Sequence, residues 1–361
     1  MLKILYAGSP APAATTLKLL LDKNSSQDQE AAACHCPTRS GNPADQNFSQ
    51  DQKARGWQIT GVLTNPPSAK GRRKELTPTA VGALAQERGL QVFCPQKLDA
   101  AAREQIAAAG FDALVCFAYG KIFGPKFLSL FKAGGVNVHP SLLPKYRGAT
   151  PVPAAILNCD ERTGVTVQTL ALGMDEGEIL AQQVVALDGT ETTDSLLETS
   201  AQIAAELLQE LLDKAASDDG SQALQKGRPQ EGEPSYTKTI AKEDALIDWN
   251  EPANKIAAAV RAYTSEPGAW TRIGGETGET LKILKAVALE DDCLQGQNAA
   301  APSGLATVPG TVAAFDKKRG ILIKCGQGYL CVTELQRQQK NAMGYKDFMN
   351  GARDFVGTLL V

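Results

Sequence analysis

Gly134-Gly135-Val136-Asn137-Val138-His139-Pro140-Ser141-Leu142-Leu143-Pro144 is the stretch on which the reading of this chain turns. An apolar alternating run over 135–139 ends in a loop stiffened by two prolines, the pattern of a buried strand that feeds a rigid turn. Alternate side chains of a strand share a face, so Asn137 and His139 point the same way. An amide beside an imidazole is a workable pair for acyl transfer, since Asn can donate to a developing oxyanion while His donates or exchanges a proton. The same two residues could equally cap a strand end, and the pattern alone leaves both readings open.

Further strands are expected at 2–7, 57–63, 91–94, 112–118 and 164–172, separated by helices at 11–22, 79–88 and 101–109. Strands that alternate with helices imply an α/β fold with a doubly wound, mostly parallel sheet, which binds ligands beyond the carboxyl ends of its strands. His139 ends one such strand. Asp175, in Gly173-Met174-Asp175-Glu176-Gly177-Glu178-Ile179, follows another, which would bring both to one rim. A carboxylate there can fix the tautomer of an imidazole and raise its basicity, or it can be a solvated turn residue. The turn over 7–11 lacks G-x-G-x-x-G and places a proline where pyrophosphate would sit, and no P-loop occurs, which argues against dinucleotide or nucleotide-driven chemistry.

Residues 24–56 are polar and without hydrophobic period, an insertion expected to be disordered. A long amphipathic helix over 193–216 closes the first domain (1–216). A polar, Gly- and Pro-containing stretch at 217–236 reads as the linker. From 237 to 361 short strands at 280–288, 310–314, 320–325 and 329–335 suggest a small OB-like β-barrel with helices near 252–263 and 345–348.

Composition narrows the chemistry. The 361 residues hold two histidines, His35 and His139, so a multi-histidine metal centre is impossible. Six of the eight cysteines are scattered singly, and Cys34-His35-Cys36 packs three potential ligands too tightly for one tetrahedral ion, so no metal is expected. A net charge of -3 offers a polyanion no global attraction. Basic charge is instead local: Lys70, Arg72, Arg73 and Lys74 fall within seven residues, Lys145 and Arg147 follow the Pro144 loop, and residues 302–361 carry an excess of cations. Such patches suit phosphates, or are simply solvated turns. No apolar run reaches the ~20 residues that span a bilayer, and the cytoplasm is the expected location.

The run from Asn137 to Pro151 resembles the signature of the folate-dependent formyltransferases, and Gly164-Val165-Thr166 with Asp175-Glu176-Gly177-Glu178-Ile179-Leu180 resembles their second block. That resemblance implies that Asn137, His139 and Asp175 are catalytic and that Ser141, Leu142, Leu143 and Pro144 form a folate-binding loop. Tyr119, in Ala118-Tyr119-Gly120, would lie near the folate pocket. Arg147-Gly148-Ala149 followed by Pro151, Ile247-Asp248-Trp249, Arg261-Ala262-Tyr263 and Pro267-Gly268-Ala269-Trp270 are similar to the branch of the family that formylates initiator methionyl-tRNA and carries a C-terminal tRNA-binding barrel. For this branch the resemblance implies 10-formyltetrahydrofolate as co-substrate and tRNA contacts through Arg72, with Lys70, Arg73, Lys74 and Arg147. A monomer with no membrane partner is expected. The 24–56 insertion has no counterpart. An amino-sugar nucleotide as acceptor, a 10-formyltetrahydrofolate hydrolase, and an inactive RNA-binding relative are the alternatives to be separated.

Overall fold

Four consecutive buried apolar residues, Ile4 to Ala7, make the first strand, β1 (Leu2–Gly8), the spine of the sheet. The computed structural model describes residues 1–33, 56–70, 75–217, 223–264, 266–275, 277–294, 308–352 and 354–361. After β1 come α1 (Ala11–Ala33), β2 (Trp57–Leu63), a small hairpin of β3 (Ser68–Lys70) and β4 (Glu75–Thr77), α2 (Ala80–Glu87), β5 (Gln91–Phe93) and α3 (Ala100–Ala109). β6 (Ala113–Phe117), a one-turn α4 (Pro125–Leu128), β7 (Gly134–His139), the short β8 (Arg147–Gly148), α5 (Pro151–Leu157), β9 (Arg162–Thr169), β10 (Ile179–Ala186) and α6 (Thr193–Ser217) follow. The side chains of Thr79 and Asp99 cap α2 and α3 by accepting from the backbone N–H three residues on, as their sequence positions predict.

The main sheet has the order β10-β9-β7-β6-β1-β2-β5. β1 pairs parallel with β2 and β6, β2 with β5, and β6 with β7, whereas β9 runs antiparallel to β7. Alternation sorts the strands onto two faces. Ile4, Tyr6, Val115, Val136, Val138, Val165 and Val167 join Leu17, Leu20, Leu208 and Leu212 of α1 and α6 in one core, while Leu5, Ala7, Leu114 and Cys116 pack with Ile106, Phe111 and Phe123 on the other side. Asn137 and His139 therefore face away from α6, and so do their cross-strand partners Gln168 and Thr166.

Two expectations change here. First, α1 continues to Ala33, so the first ten residues of the 24–56 stretch extend a helix rather than start an insertion. They contain no Gly or Pro and are rich in Gln, Glu and Ala, which sustain a helix without any hydrophobic period. Residues 34–55, with His35 and the cysteines beside it, lie outside the described residues. Second, the strand before Asp175 is antiparallel to β7, so its carboxyl end points to the opposite rim, with Thr169 opposite Val136. Asp175 reaches His139 because the loop between β9 and β10 folds back over the sheet face.

The chain divides into two compact units: 1–147, 164–185 and 197–236 form the first, and 148–163, 186–196 and 237–361 the second. This departs from a cut at 217–236. Residues 223–236 fold with the first unit, where Arg228 exchanges backbone hydrogen bonds with Ile179 at 2.8 and 3.0 Å. The second unit contains β11 (Tyr236–Thr237) in part, α7 (Ala253–Ala262), β12 (Trp270–Ile273), β13 (Glu279–Leu289), β14 (Val312–Asp316), β15 (Gly320–Lys324), β16 (Tyr329–Arg337), β17 (Met343–Gly344) and α8 (Tyr345–Gly351). Its antiparallel sheet has the order β12-β13-β16-β15-β14, with β17 on β16. The chain end bridges both outer strands, Leu360 to Ile273 and Leu359 to Thr311, and so joins the two edges of the barrel-like sheet. α7 buries Ile256 and Val260 in a core with Trp249, Leu281 and Ile323. Among the described residues no helix is long and apolar enough to cross a membrane.

Candidate active site

β7 delivers Asn137 and His139 to the face that α6 leaves open. His139 is 4% exposed. Its Nε2 lies 2.8 Å from the carbonyl oxygen of Tyr146, and a carbonyl only accepts, so Nε2 carries the hydrogen. Nδ1 then faces Oδ2 of Asp175 at 3.5 Å. The other carboxylate oxygen, Oδ1, accepts from Asn137 Nδ2 at 3.3 Å and from Gln168 Nε2 at 2.9 Å. Burial pushes the imidazole below its usual 6.5, although Asp175 and the Tyr146 carbonyl both pull it upward. His139 is consequently neutral at pH 7 and directs a lone pair at a carboxylate, an arrangement ready to accept one proton between the two groups.

The geometry demands unusual backbone. Asp175 has φ 54° and Tyr146 φ 61°, left-handed conformations that cost a non-glycine residue roughly 1 kcal/mol or more. The surroundings impose both. The Tyr146 N–H donates to Ser235 Oγ at 2.8 Å. Nε2 of Gln230 donates to the carbonyls of Asp175 and Gly177, each at 2.8 Å. Gly177 itself has no room for a side chain, because a Cβ there would strike the carbonyl of Thr169.

The 141–144 loop is braced from below. Thr166 Oγ1 donates to the Ser141 carbonyl at 2.7 Å and accepts from Gln182 Nε2 at 2.8 Å and the Leu143 N–H at 3.3 Å. Ser141 and Leu143 turn inward, with Ser141 Oγ donating to the Lys145 carbonyl at 2.6 Å, whereas Leu142 and Pro144 stay partly exposed. Those two apolar edges, together with exposed Leu172 and Met174 on the Asp175 loop, suit a flat heteroaromatic ligand. Tyr119 stacks its ring on Phe123 at 5.5 Å and is buried in the core of the sheet, so only its backbone remains available, and the carbonyl accepts from Asn65 Nδ2 at 2.9 Å.

Of the expected tRNA contacts, Lys70 sits opposite Glu75 in the β3–β4 pair, and Arg72, Arg73 and Lys74 lie outside the described residues. Arg147 is turned inward: Nε and Nη2 donate to Gln230 Oε1 at 3.1 and 2.8 Å, and Nη1 reaches Glu176 Oε1 at 3.3 Å and the Tyr236 hydroxyl at 3.2 Å. A guanidinium so engaged braces the site. Gln168, Gln182 and Gln230 were absent from the sequence reading altogether. Gln168 had a signal, a polar residue alternating with buried valines in β9. Gln230 had none, since it stands in polar sequence that reads as linker. The buried thiol of Cys116, beside Asn137 in the sheet, is pushed up to about 12 by desolvation and supplies no nucleophile.

An amide, an imidazole and a carboxylate converge on the sheet face opposite α6, in a chain whose second unit is an antiparallel barrel-like sheet. Residues 40–212 match the family described as Formyl transferase, and residues 239–353 the family described as Formyl transferase, C-terminal domain. The chain belongs to the formyltransferase family. It is 43% identical over 312 residues to Methionyl-tRNA formyltransferase of Treponema denticola, covering 84% of this chain and 92% of the relative. The same enzyme of Treponema pallidum is 42% identical over 311 residues, or 81% and 89% of the two chains. Among solved structures, WlaRD, a sugar 3N-formyl transferase crystallised in the presence of dTDP and 5-N-formyl-THF, shares the fold with a TM-score of 0.55 at 17% identity over 94% of this chain and 99% of that one.

Proposed function

We propose that this protein transfers the formyl group of 10-formyltetrahydrofolate to the α-amino group of initiator methionyl-tRNA, releasing tetrahydrofolate. One observation carries the reading: Asn137, His139 and Asp175 meet on one sheet face in a chain that is 43% identical over most of its length to a methionyl-tRNA formyltransferase. Attack of the amine on the formyl carbon builds negative charge on the formyl oxygen. Asn137 Nδ2 uses one hydrogen on Asp175 and has a second to offer that oxygen. His139 cannot share this role while Nε2–H is held by Tyr146, so it acts on protons instead. A proton lost by the amine and taken by Asp175 Oδ2 has the Nδ1 lone pair 3.5 Å away, and the pair can return it to N10 of the departing folate.

The ligand fits the residues present. Leu142 and Pro144 offer apolar edges to the pterin, on a loop fixed by Thr166 and Gln182. The first unit is the catalytic domain, and the second unit and the basic residues Lys70, Arg72, Arg73 and Lys74 supply contacts to tRNA. Every residue this scheme uses comes from one chain, and a cytoplasmic monomer suffices. The test offers methionyl-tRNA, an amino-sugar nucleotide or no acceptor to the protein with 10-formyltetrahydrofolate. The reading expects formyl-methionyl-tRNA alone, and it expects His139→Ala to lose that activity by about 10²-fold or more.

A further inference from the structure

Gln230 stands outside the strands and loops that carry the site, yet its side chain touches the backbone of the Asp175 loop, Gln168 and Arg147. Its amide is fully used. The two hydrogens on Nε2 point to the carbonyls of Asp175 and Gly177 at 2.8 Å, with Gln168 Oε1 further off at 3.3 Å, and Oε1 accepts twice from Arg147. The Arg147 contacts settle which way the amide faces, because a guanidinium only donates and must meet the oxygen. The nitrogen is thereby aimed at the loop. The residue whose carbonyl it holds, Asp175, has the left-handed φ of 54° that lets a loop arriving from the wrong rim turn its carboxylate toward His139.

We propose that Gln230 is a positioning residue for formyl transfer: oriented by Arg147, it clamps the backbone on both sides of Glu176 and so sets the distance between the Asp175 carboxylate and His139 Nδ1. The inference rests on the reading of Asp175 and His139 as the proton-handling pair. Without the clamp, the loop relaxes toward right-handed backbone and the carboxylate moves away from the ring, while the 141–144 loop, held by Thr166, and the backbone of Asn137, held by strand pairing, stay in place. Substrate binding is then kept and the chemical step is lost. Displacement of about 1 Å at a reacting group costs on the order of 10²-fold.

Two readouts of Gln230→Met test this, a side chain of similar length that neither donates nor accepts strongly. The first is steady-state formylation, where kcat is expected to fall about 10- to 100-fold with both KM values within about threefold of wild type. The second needs no substrate. The chain has only two histidines, so the His139 ring can be followed by NMR titration against His35. Asp175 raises the His139 pKa, so its withdrawal lowers the midpoint, in the same direction as Asp175→Asn and by less. Should Gln230→Met fail to fold, Gln230→Asn, one methylene too short to span both carbonyls, is read for the same two quantities. Unchanged kcat with an unchanged His139 titration overturns the proposal, and so does a raised KM at constant kcat, which would make Gln230 a substrate contact. A wild-type protein that formylates nothing, while the His139 midpoint still moves with Gln230→Met, would sink the assigned function and leave the clamp standing.

Discussion

Replacing Asp175 by asparagine separates charge from shape at the centre of the site. Oδ1 accepts from Gln168 at 2.9 Å and from Asn137 at 3.3 Å, so in Asp175→Asn the amide oxygen keeps those bonds and the new NH2 falls on the side of His139. Shape is preserved. The loss is a negative charge 3.5 Å from Nδ1, worth about 5 kcal/mol at an effective dielectric near 20. At about 1.4 kcal/mol per decade this is an upper limit of three to four decades, and a loss of about 10³-fold in kcat is expected once the remaining polar groups compensate in part. The amide N–H also donates to Nδ1 and stabilises the neutral ring, which drives the His139 midpoint further down. Single-turnover formylation with saturating methionyl-tRNA and 10-formyltetrahydrofolate measures the first effect, and NMR titration of the apoprotein the second. A variant within about tenfold of wild type would show that the carboxylate charge does not handle the proton, and the mechanism would have to be abandoned.

Other perturbations address the framework. Thr166→Val removes the hydroxyl that links Ser141, Leu143 and Gln182, so unfolding free energy should drop by about 2 kcal/mol and KM for the folate should rise several-fold, read by urea titration and initial rates. Gly177→Ala drives a Cβ into the Thr169 carbonyl and should cost about 1–3 kcal/mol together with most of kcat; a fully active, fully stable variant would contradict the tight packing of the Asp175 loop. Because His139 titrates below 6.5 in the fold, the unfolded chain binds its proton first as pH falls. The stability that the neutral ring contributes is complete above about pH 6.5 and declines below it by at most about 1.4 kcal/mol per pH unit, so the wild-type advantage over His139→Gln should shrink in denaturation curves taken at successively lower pH. Arg72→Ala should weaken use of methionyl-tRNA and flatten its salt dependence while folate binding is retained, measured by KM at several salt concentrations and by folate titration.

Much of this was legible in the residues. Alternation in 135–139 placed Asn137 and His139 on one face, and turn residues located most strands of the main sheet to within a few positions, though not β10. What alternation cannot convey is strand direction. Nothing in 162–169 distinguishes a parallel from an antiparallel strand, so the approach of Asp175 was misjudged although its meeting with His139 was expected. Polar composition misled in two ways. It reads as disorder at 24–33, where helix-forming residues simply extend α1, and as linker at 223–236, where Gln230 and Ser235 are polar because they bind buried backbone. Basic residues were counted as surface, but Arg147 is held by Gln230, Glu176 and Tyr236. Side-chain hydrogen bonds between distant segments leave no periodic trace, and the bracing of this site is made of them.

In the proposed reaction one formyl group passes from folate to the amine of methionine carried by tRNA, with His139 and Asp175 handling the proton. The most direct measurement mixes the protein with 10-formyltetrahydrofolate and charged initiator methionyl-tRNA, with elongator methionyl-tRNA in parallel, and counts formyl-methionyl ester and tetrahydrofolate. Equal amounts of both products are expected with the initiator, little with the elongator, and neither above background for His139→Ala. Tetrahydrofolate released as fast without any tRNA, or a His139→Ala protein that formylates at the wild-type rate, would contradict the proposed reaction.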